Sequence, residues 1–168
     1  MTLHKAIIRQ GSSLLDKATI RPLRTFRFAA MREGPDLRLF CHPSTLSRLA
    51  LWLVDATRDR WAERDARAGK QTKSLPFVVA CLNEERGTYL VVGVTGAPEY
   101  GDVRKKSVSL HQYPDRADDL ISKFGLAFQQ AVEESGAGAK HDMFDTSVVE
   151  VRQADLTSFI ETLHLRSA

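Results

Sequence analysis

Cysteine is scarce in this chain: Cys41 and Cys81 are the two present among 168 residues. They lie far apart with no partnering motif, which excludes a disulfide framework and points to a compartment that keeps thiols reduced. Long apolar runs are missing as well. Nothing approaches the roughly 18 residues that cross a bilayer, and the start Met1-Thr2-Leu3-His4-Lys5 lacks the hydrophobic stretch of a secretory signal. The expected location is therefore cytoplasmic and away from membranes. The first 32 residues nevertheless carry seven basic side chains against one acid, Asp16. Organellar transit segments share that composition, so the organellar matrix stands as the alternative.

The motifs of catalysis are equally thin. Nucleotide phosphates are cradled by glycines at fixed spacing that open a helix. Gly93-Val94-Thr95-Gly96-Ala97 follows a predicted strand but runs into Pro98, which makes it a plain turn. Zinc deaminases need a ligating His with Glu two places on and a Cys pair at a helix start, and no His here has that neighbour. Cys41, His42 and Cys81 do not have the spacing of a zinc finger or ribbon. No Gly-x-Ser-x-Gly elbow occurs. Adjacent residues on a strand point to opposite faces, so Cys41 and His42 are not a nucleophile–base pair, and the cysteines read as buried apolar side chains. Neither a metal nor a cofactor is expected.

What is present is the composition of an ordinary globular protein, 43% apolar and 27% charged. A chain of this length buries roughly 70% of its extended surface on folding, enough for one core, so residues 1–168 are expected to form a single domain. The net charge of +3 hides a division. Residues 1–75 hold 15 basic and 7 acidic side chains, and residues 76–168 hold 9 and 14, so the halves carry about +8 and −5. Such asymmetry either steers an acidic partner or is neutralised across the fold.

Alternation in Thr25-Phe26-Arg27-Phe28 and Leu37-Arg38-Leu39-Phe40 around Glu33-Gly34-Pro35-Asp36 predicts a hairpin over residues 24–41. The Gly11-Ser12-Ser13 interruption predicts two short elements between Lys5 and Ile20 rather than one helix. A helix opens at Pro43 or Ser44 on Leu46, Leu49, Ala50, Leu53 and Trp61 and reaches about Gly69, its charge-dense second half read as a solvated end. Phe77–Leu82 and Leu90–Val94 are nearly continuous apolar runs around a Gly-containing loop, the pattern of a hairpin covered on both faces. A strand is predicted over Val108–Gln112, a helix from Asp115 to Gly136, a strand over Ser147–Val151 and a terminal helix on Leu156, Phe159, Ile160 and Leu163. The fold class is α+β: a central, mostly antiparallel sheet built from hairpins with about three helices packed on it.

Two candidate sites follow. The arginines in and around the predicted hairpin, Arg24, Arg27, Arg32 and Arg38, suggest a solvent-facing basic stripe, with Arg104, Lys105 and Lys106 as a second basic group. Phe26 and Phe28 share the opposite face and read as core rather than as base-stacking platforms. His111, Tyr113, His141, Asp142 and Asp145 lie in loop regions where catalytic groups collect. With the strong catalytic motifs absent, the leading expectation is a non-enzymatic binding protein, either inhibitor- or immunity-type or a complex-assembly subunit. It would dock through a basic face on an acidic protein surface or a nucleic acid. The alternative is a metal-independent nuclease using His111 or His141 with Asp145. The oligomeric state is not set by the sequence.

Overall fold

The computed structural model describes residues 2–67, 75–95, 116–143 and 145–166. The chain opens with α1 (Leu3–Asp16), one uninterrupted helix where two short elements were expected. Ala6, Ile7, Gln10, Gly11 and Leu14 share its buried face. Gly11 stays helical because Trp52 lies over it: a Cβ there would come within 2.1 Å of the Trp52 ring. The glycine is a point of close approach, not a break. The helix ends at Ala18, whose φ of 50° is left-handed, with the Ala18 and Thr19 amides returning to the Leu15 and Leu14 carbonyls at 3.2 and 3.3 Å.

β1 (Arg21–Pro22) pairs antiparallel with β2 (Arg27–Met31). The expected hairpin over residues 24–41 does not form, and Leu37–Cys41 is a 3-10 turn. Both edges of β2 are taken: β1 holds one, and β3 (Phe77–Asn83) holds the other in parallel, with Ala29 opposite Val79 and Met31 opposite Cys81. Leu37–Phe40 therefore has no edge of β2 to join, and Phe40 is buried from the turn instead. A parallel pair needs a connection of about a dozen residues or more. α2 (Pro43–Arg67), 25 residues long, supplies it and starts where the proline's missing N–H costs nothing.

β3 and β4 (Thr88–Val94) form the expected central hairpin, turning through Gly87 at φ 60°. α3 (Arg116–Ser135) follows, then β5 (Ala139–His141), β6 (Val148–Arg152) and α4 (Leu156–Arg166). The sheet order is β1-β2-β3-β4-β6-β5, antiparallel except between β2 and β3. Four helices rather than three cover it among the described residues. The α+β class and the mostly antiparallel sheet are as expected.

Helices lie on both faces of this sheet. Phe77, Val79 and Cys81 join Ala29 and Met31 in a core beneath α1 and α2. Val78, Ala80 and Leu82 join Val149 and Val151 beneath α3 and α4, where the Phe128 and Phe159 rings meet edge to face at 5.7 Å. Each such aromatic or aliphatic side chain contributes about 1.5–3 kcal/mol on full burial. The expected strand over Val108–Gln112 lies outside the described residues.

The Gly11–Trp52 contact gives a prediction with a definite sign. Gly→Ala within a helix ordinarily stabilises by about 0.5–1 kcal/mol. Gly11→Ala instead is expected to destabilise by about 1–3 kcal/mol through overpacking against the indole, read as a lower urea midpoint with unchanged m-value.

Candidate functional site

The parallel strands β2 and β3 end side by side at Met31 and Asn83, and a cleft of about 1040 Å³ opens beyond them. Its walls come from the 3-10 turn, the start of α2, the β3–β4 turn and the β5–β6 hairpin. Crevices outside the carboxyl ends of strands are common ligand sites in open sheets. The charged groups here are largely engaged with one another. Arg86 Nε lies 3.3 Å from Glu150, whose carboxylate also accepts a 2.6 Å hydrogen bond from Thr88 Oγ1. Lys140 stands opposite Glu150 in the strand register. Arg38 pairs with Glu85 at 2.8 Å, both well exposed. Among the described residues no group of three or more His, Cys, Asp or Glu side chains is placed to hold a metal ion.

The expected acid–base residues are not brought together. His141 ends the edge strand β5 and lines the cleft, exposed. Asp145 is committed to its own turn, its Oδ1 accepting hydrogen bonds from Ser147 N and Oγ at 2.9 and 2.5 Å. It does not line the cleft, whereas Asp142 does. His111, Tyr113, Arg104, Lys105 and Lys106 lie outside the described residues.

Cys41, which lines this cleft, and the fully buried Cys81, apart in the chain, sit with their sulfurs 4.0 Å from each other. Both thiols face the Leu37 carbonyl, at 3.5 and 3.6 Å. Burial pushes the Cys41 thiol pKa up, and it pushes that of the deeper Cys81 much further up. Nothing in their spacing announces this pairing, which depends on β2 lying beside β3.

The four arginines of the expected stripe are separated. Arg24 is exposed beside β1, the sheet edge. Arg32 lines a groove against α4 with Lys17, Arg21 and His164. Arg38 belongs to the cleft. Arg27 is buried, only 6% exposed. It shares the β2 face of Ala29 and Met31, which α2 covers, and its guanidinium lies 4.6 Å from the Trp61 ring centroid. A desolvated cation over an indole is worth about 2 kcal/mol or more, which offsets part of the cost of burial.

The second half of α2 is likewise not simply solvated. Thr57, Arg60, Trp61 and Arg64 recur at i, i+3, i+4 and i+7 and line a cavity of about 180 Å³ against the end of α1 and the edge strand β1. Arg64 also lies on the Trp61 ring, at 5.2 Å. The helical spacing of these residues is legible in the sequence, though the density of charge around them conceals it. The two charge halves are not neutralised chiefly against each other. Arg9–Asp36, Lys17–Glu33 and Arg58–Asp55 pair within the first half and Arg86–Glu150, Arg152–Asp155 and Arg166–Glu134 within the second, while Arg38–Glu85 joins the two.

The family model CDC45 matches residues 1–166. The chain is 34% identical to the cell division control protein 45 homolog of Schizosaccharomyces pombe, over 99% of this chain and 24% of that protein. It is 36% identical to Protein TSD2 of Mycosarcoma maydis, over 98% of this chain and 18% of that one. It is 33% identical to cell division control protein 45 of Saccharomyces cerevisiae, over 97% and 22%. The chain thus spans about a fifth to a quarter of the length of these relatives. In fold it resembles the crystal structure of CDC45 from Entamoeba histolytica, with a TM-score of 0.59 at 21% identity over 98% of this chain and 28% of that one.

The raised thiol pKa values predict slow alkylation, because the thiolate is the reactive form and a raised pKa leaves less of it at a given pH. In native protein at pH 8, iodoacetamide is expected to modify Cys41 more slowly than in the urea-unfolded chain. Cys81 should stay unmodified until unfolding. Peptide mass spectrometry of timed samples checks both.

Proposed function

The chain belongs to the CDC45 family, and from that premise we propose that it is a binding subunit of a DNA-replication assembly, docking on partner proteins rather than turning over a substrate. The match along nearly the whole chain carries this reading. The mutual engagement of the cleft's charged groups supports it, since Glu150 is held by Arg86 and Thr88 and Asp145 by its own turn. Side chains committed to each other in this way position loops and strands; they are not poised to move a substrate proton.

On this reading residues 1–168 act as one domain, and the compartment in a eukaryotic cell is the nucleus rather than the cytoplasm or an organellar matrix. Nothing in the family supports an inhibitor- or immunity-type role. The nuclease alternative is also left without support. Its remaining described histidine, His141, is an exposed edge-strand residue.

The reading predicts that the tagged chain, purified from cells synchronised in DNA replication, carries replication proteins in fixed ratio, and that His141→Ala leaves this recovery unchanged. It also predicts no cleavage of labelled single-stranded DNA or RNA above a mock preparation. Nucleic-acid hydrolysis lost in His141→Ala would overturn the reading, and so would a chain that recovers no replication protein.

A further inference from the structure

Beside the sheet edge formed by β1, the cavity between α1 and α2 combines three features. It is small, about 180 Å³, well short of the roughly 300–1,000 Å³ that holds a drug-sized molecule; it suits one side chain. Its wall includes Leu15, Ile20 and Pro22, and its basic groups are Arg60 and Arg64, with no carboxylate lining it. Trp61 lines it as well, half-buried, with its indole Nε1 sealed from solvent.

We propose that this cavity is a docking site for an acidic protein segment, which inserts one apolar side chain between α1 and α2 and sets its acidic flanks against Arg60 and Arg64. The proposal rests on the partner-docking reading above and names the surface and the chemistry of the partner. Arg60 and Arg64 make no ion pair among the described residues, in contrast to Arg58 with Asp55 and Arg67 with Glu63 on the same helix. Both are exposed, so their charge is available to a partner. Tryptophan and arginine around a small apolar pocket are the residues that dominate protein–protein hot spots. A nucleic acid fits less well. Base stacking needs a bare aromatic face, and the Trp61 ring already carries the guanidinium groups of Arg27 and Arg64 at 4.6 and 5.2 Å.

The test is fluorescence anisotropy with a labelled peptide of Asp and Glu around one central Leu, beside the same peptide with Ala for Leu and a labelled oligothymidine. The Leu peptide is expected to bind saturably. The Arg60→Glu/Arg64→Glu double variant should weaken it at least about tenfold, and the Ala peptide should bind several-fold more weakly.

An unsaturable signal overturns the proposal. So does equal binding of the Leu and Ala peptides, affinity unmoved by charge reversal, or tighter binding of oligothymidine at this site. Self-association lost in the double variant would assign the cavity to a second copy and overturn it as well. Replication proteins that still co-purify with the double variant would sink this proposal while leaving the docking function standing; a parent chain that recovers none would sink the function itself.

Discussion

Two parallel strands can lie side by side when the chain between them is long enough to return to the starting end, and β2 and β3 meet that condition through the 25 residues of α2. Much of the architecture depends on that crossover. It fills both edges of β2, which denies Leu37–Phe40 a strand partner and turns it into the 3-10 wall of the cleft. It lays α2 over the face that carries Arg27, Ala29 and Met31, and so turns an arginine of alternating sequence into a buried cation over Trp61. It also places Met31 opposite Cys81, and with it the turn that brings Cys41 within 4.0 Å of the second sulfur.

How much of this was legible in the sequence follows from how local each cause is. The β3–β4 hairpin is written in two short apolar runs and one glycine loop, and the structure places it centrally, with residues 77–82 all buried. Pro43 marks the start of α2, and the four apolar residues of α4 mark its face. The parallel pairing is not local: Arg27 meets Phe77 across fifty residues, and no period in either segment names the other. The continuity of α1 is hidden for the same reason. Gly11 reads as a breaker until Trp52, forty-one residues on, is seen to need the space. β5 gave no signal, since Ala139-Lys140-His141 is too short to alternate.

The candidate site was read less well, and the errors share one origin. Alternation around Arg27 and Arg38 suggests exposure, and for Arg27 that is wrong. Alternation assigns residues to faces, and only the packing of a neighbouring element decides whether a face is wet. Charge density on the second half of α2 does mark a largely exposed stretch, Arg60 and Arg64 included, and what it conceals is the half-buried Trp61 between them. Family membership was beyond motif reading altogether. The likeness to the CDC45 relatives runs thinly along residues 1–166 at 31–36% identity, with no short constellation to carry it.

The charge asymmetry acquires a different meaning in three dimensions. Among the acids and bases of the second half, Arg86, Arg152 and Arg166 each hold a carboxylate from the same half, which leaves those elements locally balanced. In the first half the pairs formed by Arg9, Lys17, Arg58 and Arg67 use Asp36, Glu33, Asp55 and Glu63, while Arg60 and Arg64, beside β1, have no ion-pair partner among the described residues. A strand edge, an excess of guanidinium and a small apolar cavity meet there. Unpaired surface charge adds little to folding, about 0–1 kcal/mol even when it finds a partner in solvent. It gains far more in the on-rate and orientation of an acidic partner. Stability therefore gives a weak reason for Arg60 and Arg64 to face outward beside Trp61, whereas recognition gives a direct one.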